Sequence, residues 1–385
     1  MIINDVNRDK IGIIVVGYNR IKSIKRLLSS LLSASYFGDE VPLVISIDCS
    51  RDQKIYEYVH SFEWPYGDKI VNIQQERLGL KNHILLCGDL SRFFKAIVLL
   101  EDDIIVSPYF YSYVKQAVEV YGTNKSIAQI SLYKNEMNGY VGLPFSVENK
   151  GFDVFLHQDV STWGECWTYE MWSEFKVWYE KHTEDDIKQA AMPSAIKQWT
   201  RAWSKYYNAY VVSTKKYVLY PLVSLTTNFS DAGEHGGNNP ALVQVNLLQG
   251  NCLYRMGEIE KLTCYDIFSN NTELYDWIGF NAEEISLDLY GFNNSRKKYL
   301  LSTKILPYKI LKSYALYMRP MELNVKYDLR GDGIYLYDTS IASKRKSRDK
   351  QINLVSYFIQ GFSIRLLAKY LIDSFVQRII LKFTL

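Results

Sequence analysis

Short apolar, β-branched runs that alternate with helical patterns constrain the fold of this chain most strongly. Strand signatures and helical patterns follow one another in the order Ile11–Val16, Ile21–Leu32 (helix), Leu43–Ile47, Lys69–Ile73, Leu80–Phe94 (helix), Ala96–Leu100 and Tyr109–Val120 (helix). Strands that alternate with helices indicate a mainly parallel sheet with crossover helices. The predicted fold class is therefore α/β.

Polar side chains follow three of these strands. The first is followed by Tyr18-Asn19-Arg20, the second by Asp48, and the fourth by Glu101, Asp102 and Asp103, here called the acidic triplet. Open α/β sheets bind their ligands at the carboxyl ends of the strands, so this clustering predicts a nucleotide-binding half-domain. The chain contains neither GxGxxG nor GxxxxGK[ST], so dinucleotide and P-loop chemistry are not indicated.

The acidic triplet comes directly after the apolar run Ile97–Leu100. Its carboxylates would repel one another and resist the loss of water unless a partner neutralises them. A hard divalent cation binds carboxylate oxygens and often holds a substrate diphosphate as well. A hydroxyl-rich ligand is a second partner of the right chemistry. The alternative is a solvated acidic turn before the helix that Pro108 opens.

The composition is that of a globular protein without a nucleic-acid signature. Of the 385 residues 48% are hydrophobic and 23% charged, and a net charge of +3 is too small to indicate nucleic acid as the main partner. Five cysteines without paired metal spacing argue against a complete disulfide framework. No secretion signal begins at Met1, and no stretch reaches the about 20 apolar residues of a membrane span. We expect a cytoplasmic, reduced protein.

The character of the sequence changes along the chain. We expect a catalytic domain over residues 1–250, an accessory region over 251–343 and a basic amphipathic helical segment over 344–385. This last segment holds nine basic against two acidic residues, beside wide apolar faces. Such a composition is typical of a helix that lies on an anionic membrane surface. A helix docked on its own domain, or on a second subunit in a homo-oligomer, is the alternative.

Several pieces of the sequence, in order, resemble metal-dependent glycosyltransferases of the GT-A fold. Within that class the chain resembles most closely the inverting N-acetylglucosaminyltransferase I family, its protein O-mannose relative and their bacterial cousins. The matching pieces are Val16–Arg20, Ser46–Cys49, Leu99–Asp103 with Pro108, and Trp163-Gly164 followed by Glu170–Trp172. The resemblance fades after about Leu248. It implies a GT-A type, Rossmann-like sheet with flanking helices, followed by a mixed or helical C-terminal extension.

The resemblance also implies a role for each matching residue. Arg20 and Asp48 would bind the nucleotide, Arg20 at the uracil or the diphosphate and Asp48 at the uracil ring N–H. Asp103 would coordinate Mn²⁺ or Mg²⁺, and the ion would bridge the diphosphate. Glu101 and Asp102 would contact the ribose and the donor sugar hydroxyls. The residues alone favour a helix N-cap for Asp48. For Arg20 the alternative is a solvated first-turn side chain.

An inverting transfer also needs a general base for the acceptor hydroxyl. The relatives carry this base in a Trp-Asp-Asp-Trp segment, and the nearest counterpart here, Lys197–Trp199, has no acid. The spacing from Trp163-Gly164 instead gives Asp185 and Asp186 as candidates for the base. The alternative is that these two acids only contribute surface charge. Asp231 and Glu165 remain open as further candidates.

A Gly-rich polar segment, Asn228–Gly237, has the composition of a lid that closes over a ligand, or of an ordinary surface loop. Within it, His235 is a candidate metal ligand or diphosphate contact, or a simple loop histidine. Trp163 and Trp167 are candidates to stack on an acceptor sugar, or core residues.

We therefore expect a metal-dependent inverting transferase at the inner face of the plasma membrane. It would move a hexosyl or N-acetylhexosaminyl group from a UDP-sugar to a glycan or lipid-linked acceptor in the synthesis of cell-surface polysaccharide. The alternatives are a non-catalytic glycan- or membrane-binding scaffold with a degenerate transferase domain, and a sugar nucleotidyltransferase. The latter class typically has a Gly-rich N-terminal loop, which Gly12–Arg20 lacks.

Overall fold

The structure, a computed structural model, describes residues 7–200, 202–229, 231, 243–347, 352–359 and 363–384. The chain divides into two units, the first of Met1–Gly279 with Phe292–Asn294 and the second of Phe280–Gly291 with Ser295–Leu385. The first unit thus continues past residue 250, at which the sequence analysis ends the catalytic domain. The functional boundaries expected near residues 250 and 343 remain predictions.

The beginning of the first unit alternates strands with helices. Strands β1–β6 are Asn7–Gly17, Leu43–Ile47, Lys69–Ile73, Phe94–Glu101, Ile104–Val106 and Ile127–Ser131, and helices α1–α4 are Ile21–Leu32, Gln53–Ser61, Gly79–Gly88 and Phe110–Tyr121. The predicted strands coincide with β1–β4, and the predicted helices coincide with α1, α3 and α4. Helix α2 was not predicted, and a 3₁₀ helix, Asp89–Phe93, replaces the last turn of the helix expected to end at Phe94.

The remainder of the first unit is less regular. Strands β7–β13 are Met137–Asn138, Leu143–Pro144, Val154–His157, Glu165–Trp167, Tyr217–Pro221, Thr226–Asn228 and Cys264–Tyr265, and helices α5–α9 are Tyr169–Lys181, Glu184–Gln189, Ser194–Lys197, Ser204–Ser213 and Leu274–Ile278. The sequence pattern from Ser194 to Val212 predicts one helix, whereas the structure has two there, α7 and α8. Ile196 of α7 and Ala209 of α8 belong to one buried cluster with Ile187 and Met192, and Tyr207 of α8 also packs against Trp167.

Within the described residues, the strands of the first unit form a nine-stranded sheet in the order β13-β9-β11-β6-β10-β4-β1-β2-β3. Strands β3, β2, β1 and β4 are mutually parallel, while β10 is antiparallel to both of its neighbours. This mostly parallel sheet with helices confirms the predicted α/β class. From β1 the chain adds β2 and then β3 on one side of β1, and β4 then pairs with the opposite side of β1. This reversal of strand order between β1 and β4 is a topological switch point, at which open α/β sheets bind ligands.

The two strands at this switch point have deeply buried central segments. Ile13–Val15 of β1 and Ile97–Leu100 of β4 have no exposed surface. Helix α1 buries a stripe of residues at helical spacing, which includes Ile24, Leu28 and Leu31. Each fully buried aliphatic side chain stabilises the fold by about 1.5–3 kcal/mol. The strand ends that follow these runs are therefore held in fixed positions.

An aromatic cluster fills the core beneath β10. Trp167 is fully buried, its ring centroid lies 4.8 Å from that of Trp172, and its Nε1–H donates to the hydroxyl of Tyr207 at 2.9 Å. The interpretation of Trp167 as a sugar-stacking residue is therefore wrong, because its ring has no accessible face. Trp163 is partly exposed and packs edge-on against Tyr133 with 4.6 Å between centroids.

The second unit is built around a smaller sheet. Strands β14–β17 are Ile285–Asp288, Tyr299–Ser302, Tyr308–Tyr314 and Ile334–Ala342, in the order β14-β15-β17-β16, and helices α10–α12 are Leu323–Lys326, Ile352–Phe358 and Ile364–Thr384. Helix α11 packs on this unit, since Leu354 and Tyr357 are buried and the Tyr357 hydroxyl donates to the carbonyl of Met318 at 2.5 Å.

Helix α12 is exposed along its described part. Its apolar side chains Leu366, Tyr370, Leu371 and Phe375 are between 60% and 68% exposed. The helical character predicted for the C-terminal segment is confirmed for α11 and α12. Among the described residues, no helix is long and apolar enough to cross a bilayer.

Candidate functional site

A cavity of about 130 Å³ lies at the carboxyl edge of the parallel strands. Its walls come from the residues that follow β1, β2 and β4 and from the start of α3: Tyr18, Asn19, Arg20, Asp48, Arg77, Leu80, His83 and the acidic triplet. The structure thus brings together the five residues that the sequence analysis places at a nucleotide and metal site.

The sheet register aligns these strand ends. Val16 of β1 pairs with Glu101 at the end of β4, and the Asp48 N–H donates to the carbonyl of Gly17 at 2.9 Å. Because β5 begins at Ile104, the remaining two acids occupy the tight turn between β4 and β5. β12 pairs antiparallel with β5 and places Asn228 opposite Ile104, beside the same turn.

The Arg20 side chain lies on the acidic triplet. Its Nε donates to Oδ2 of Asp102 at 3.3 Å, its Nη2 donates to Oδ1 of Asp102, and its Nη1 donates to Oδ2 of Asp103 at 3.0 Å. Oδ1 of Asp103 accepts from Nδ2 of Asn228 at 3.2 Å. Every carboxylate oxygen of these two aspartates therefore already accepts an N–H, and Arg20 is not the solvated side chain of the alternative interpretation.

Burial changes the pKa values of Glu101 and Asp102 by different amounts. Burial raises the pKa of Glu101 to about 8, with a further rise from Asp103 and Asp102 and an opposing effect of Arg20. Burial also raises the pKa of Asp102 to about 6, although Arg20 opposes this rise. Glu101 is therefore protonated at neutral pH, so that it can donate a hydrogen bond as well as accept one.

The Asp48 carboxylate holds the beginning of α3. Its Oδ1 accepts the N–H groups of Cys49 and Leu78, and its Oδ2 accepts the N–H of Gly79, each at 2.9 Å. Gly79 has a φ of +71°, which glycine adopts without strain and which turns successive N–H groups toward one acceptor. Asp48 thus anchors α3 rather than the next helix in the chain, α2, whose cap is Asp52. Its role at a uracil base remains a prediction.

Two side chains of the cavity wall were not predicted. His83 is buried, its Nε2 lies 2.7 Å from Oγ of Ser46, and burial lowers its pKa to about 4 although Asp48 opposes this. The imidazole is therefore neutral at pH 7. Arg77 stacks over the ring of Tyr18 at 4.7 Å. The sequence pattern predicts that His83 lies on a helix. It does not predict that Asp48 holds the start of this helix, and with it His83, beside the strand ends.

Of the candidate bases, Asp231 contacts the site. Its carbonyl accepts from Nη1 of Arg20 at 3.0 Å, and its carboxylate accepts from Oγ of Ser23 at 2.6 Å and from Arg26. Partial burial would raise the pKa of Asp231, but the Arg26 and Ser23 hydrogen bonds outweigh this and lower it. Asp231 is therefore an ionised carboxylate beside the acidic triplet.

The other candidates lie elsewhere. Asp185 pairs with Lys188 at 2.8 Å and Asp186 forms a capping box with Thr183, so both belong to the first turn of α6 and neither lines the cavity. These contacts agree with the surface-charge alternative, and a catalytic role for the two acids remains a prediction. The lid candidate is described only at residues 228, 229 and 231, and His235 lies outside the described residues.

Glu165 is fully buried in β10, opposite Leu99 of β4 and Ser131 of β6. Neither of its carboxylate oxygens has a hydrogen-bond partner among the described residues. Burial, with a contribution from Glu101, raises the pKa of Glu165 well above its ordinary value. Because alternate residues of a strand share a face and paired residues point the same way, Glu165 and Glu101 lie on one face of the sheet.

A metal ion fits this site only together with a ligand. Among the described residues there is no group of three or more His, Cys, Asp or Glu side chains placed to hold an ion. Mg²⁺ is usually bound by one or two carboxylates and completed by substrate phosphates and water. Asp103 offers such a carboxylate at the cavity, so an ion shared between Asp103 and a diphosphate fits the residues present.

Comparison with known proteins gives distant structural likenesses. No protein-family model and no curated protein matches the chain. Similar solved structures include residues 1–349 of TarS from S. aureus (17% identity, TM-score 0.34, 55% of this chain and 60% of that chain). The same TarS fragment in complex with UDP-GlcNAc gives 17% identity and a TM-score of 0.33 over 55% of this chain and 58% of that chain. The mannosyltransferase PcManGT from Pyrobaculum calidifontis, in complex with GDP-Man and Mn²⁺, gives 14% identity and a TM-score of 0.34 over 55% of this chain and 56% of that chain. This chain therefore spans less than two thirds of each of these chains.

The Asp48 anchor predicts that Asp48→Asn destabilises the protein. An amide has a single acceptor oxygen, so its nitrogen would face a backbone N–H at the start of α3. We expect the free energy of unfolding, measured with urea, to fall by about 1–3 kcal/mol. The control Asp52→Asn should change it little, because Asn and Asp cap helices equally well. An unchanged stability of Asp48→Asn would contradict the anchoring role.

The buried Glu165 predicts a pH-dependent effect of Glu165→Gln. The folded protein keeps a proton on Glu165 that the unfolded chain loses above pH ~4.3, so wild-type stability should fall as pH rises. Relative to wild type, the Gln variant should gain up to about 1.4 kcal/mol of unfolding free energy per pH unit above that point. Urea unfolding at several pH values measures this, with the exposed Glu170→Gln as control. A stability difference that is independent of pH would show that Glu165 ionises normally.

Proposed function

We propose that the first unit is an inverting glycosyltransferase of the GT-A type. It would move a hexosyl or N-acetylhexosaminyl group from a UDP-sugar to a hydroxyl of a glycan or lipid-linked acceptor in cell-surface polysaccharide synthesis. The observation that carries the proposal is the convergence of Asp48, Arg20 and the acidic triplet on one cavity at the switch point of a parallel sheet. The resemblance to the N-acetylglucosaminyltransferase I family supports it.

Donor binding follows from the cavity wall. Asp48 would accept the ring N–H of uracil, for which cytosine has no counterpart. Arg20 and Arg77 offer guanidinium donors that match phosphate oxygens. The protonated Glu101 and the carboxylate of Asp102 can together donate to and accept from ribose and sugar hydroxyls.

Departure of the nucleotide diphosphate needs neutralisation of the charge that develops on it. A Mn²⁺ or Mg²⁺ ion held by Asp103 and by the diphosphate would supply this Lewis-acid neutralisation. The guanidinium groups of Arg20 and Arg77, which line the same cavity, would contribute fixed positive charge.

Inversion requires the acceptor oxygen to attack the anomeric carbon on the face opposite the diphosphate. The bond between that carbon and the diphosphate oxygen breaks, and a base takes the proton of the acceptor hydroxyl. We propose Asp231 for this role, because its carboxylate is ionised and its carbonyl contacts Arg20. Asp185 and Asp186 remain candidates only if α6 approaches the acceptor in the complex.

The C-terminal segment would keep the enzyme near a membrane-embedded acceptor. We propose that α12 lies on an anionic bilayer surface, at the inner face of the plasma membrane. The described part of α12 exposes both the apolar Leu371 and Phe375 and the basic Arg365 and Lys369, a composition that such a surface attracts. Docking on a second copy of the chain is the competing outcome.

The proposed ion ligand predicts that Asp103→Ala abolishes the effect of Mn²⁺ on UDP affinity. The fold should be retained, because both carboxylate oxygens of Asp102 still accept from Arg20 and keep the guanidinium paired. UDP titrations with and without Mn²⁺, and hydrolysis of a panel of UDP-sugars, measure the effect. The control Glu119→Ala removes an exposed carboxylate from α4 and should behave as wild type. A Mn²⁺ enhancement in Asp103→Ala like that of wild type would exclude Asp103 as ligand, and a wild-type protein without hydrolysis would favour the scaffold.

Deleting residues 360–385 should release the protein from anionic vesicles. This truncation removes α12 and keeps α11, whose Leu354 and Tyr357 are buried in the second unit. Each basic residue near an anionic surface contributes about 1 kcal/mol, and salt should weaken binding because the Debye length is only ~3 Å at 1 M. Flotation with phosphatidylglycerol-containing vesicles measures the loss, while UDP binding should persist.

A matched pair of point variants separates apolar insertion from charge. Leu371→Glu and Gln377→Glu each add one negative charge to α12, but only the first removes an exposed apolar side chain. We expect Leu371→Glu to weaken flotation more. Equal effects, or aggregation of the truncated chain, would place α12 in a subunit interface or in the core instead.

A further inference from the structure

We propose that Arg20 is the resident cation of the acidic triplet and that it excludes a divalent ion until a nucleotide diphosphate draws its guanidinium away. This control of the site rests on the nucleotide-sugar function proposed above. It makes the guanidinium and the ion alternative partners of the same carboxylates. The nucleotide then decides which of the two is bound.

Arg20 uses all three of its guanidinium nitrogens in the contact. Nε and Nη2 donate to the two carboxylate oxygens of Asp102, while Nη1 donates to Asp103 at 3.0 Å. Fork-like pairing of a guanidinium with carboxylates is among the strong charge-assisted hydrogen bonds of proteins. The side chains of Arg20 and Asp102 are only 22% and 5% exposed, so water competes weakly with the pair.

Each carboxylate oxygen of Asp103 already accepts one hydrogen bond. Arg20 donates to its Oδ2 and Asn228 donates to its Oδ1 at 3.2 Å. An ion at coordination distance, about 2.0–2.6 Å from a carboxylate oxygen, would lie beside the guanidinium and be repelled by its charge. Binding of an ion to the nucleotide-free protein is therefore weakened as long as Arg20 stays on Asp103.

A nucleotide diphosphate removes this obstacle. Its phosphate oxygens match the guanidinium fork as well as a carboxylate does, and Arg20 lines the cavity in which they would lie. The same diphosphate adds oxygen ligands for the ion. Asp103 thus loses its cationic partner when the ion gains the diphosphate ligands. The nucleotide diphosphate and the ion therefore bind with positive coupling, each raising the affinity for the other.

The test measures Mn²⁺ binding to the full chain by the electron paramagnetic resonance signal of the free aqueous ion, with and without saturating UDP. For wild type we expect weak binding of Mn²⁺ alone and an affinity about tenfold or more higher with UDP. Arg20→Gln should raise the nucleotide-free affinity by about tenfold and reduce the enhancement by UDP. A nucleotide-free affinity that Arg20→Gln leaves unchanged or lowers would overturn the proposal.

Arg26→Gln is the matched control. It removes the same charge from the same helix, but Arg26 contacts Asp231 and not the acidic triplet. Its nucleotide-free Mn²⁺ affinity should stay near that of wild type, and a rise equal to that of Arg20→Gln would show a general charge effect and overturn the proposal. Arg20→Lys, which keeps a charge but not the fork, should lie between wild type and Arg20→Gln.

One further outcome tests the Arg20 mechanism with wild type alone, and another distinguishes failure of this mechanism from failure of the proposed function. If wild type binds UDP, equal Mn²⁺ affinity with and without saturating UDP would overturn the Arg20 mechanism even if Arg20→Gln does not fold. If wild type does not bind UDP, the proposed function fails, whereas the nucleotide-free comparison of Arg20→Gln with wild type still decides whether Arg20 excludes the ion.

Discussion

Neutralisation of the acidic triplet by Arg20 is the interaction on which the candidate site depends. β4 is fully buried from Ala96 to Leu100, so the acids that follow lie at the edge of the sheet with little water around them. Arg20 occupies the N-cap position of α1, where the helix dipole disfavours a cation. The arginine and the acids are each unfavourable alone at these positions, and their pairing fixes the end of β1, the start of α1 and the turn after β4 together.

Asp48 performs the corresponding task on the other side of the cavity. By accepting N–H groups of Leu78 and Gly79 it fixes the start of α3 against the end of β2. That contact places Arg77 and His83 in the cavity wall. A residue proposed to recognise a base is thus also part of the framework, and a change there affects stability and binding together.

The polar groups of the cavity pair largely with one another. The oxygens of Asp102 and Asp103 accept from Arg20 and Asn228, and Arg20 also donates to the carbonyl of Asp231. A ligand must replace these internal hydrogen bonds, so its affinity is a difference between two sets of contacts. This makes competition between internal and external partners the natural way to control the site.

Several features followed from the sequence alone: the alternation of strands and helices, the bounds of β2, β3 and α1, and the position of the acids at a strand end. These depend on periodicity and on short-range order, which neighbouring residues determine. Other features depended on residues far apart in the chain, and only the tertiary structure decided them. Examples are the pairing of Arg20 with Asp102, the attachment of Asp48 to α3, and the burial of Trp167 and Glu165. The choice of partner for a charge, and the face that a side chain presents, are settled when distant segments pack together, because only then is it known which groups lose water and which partners are within reach.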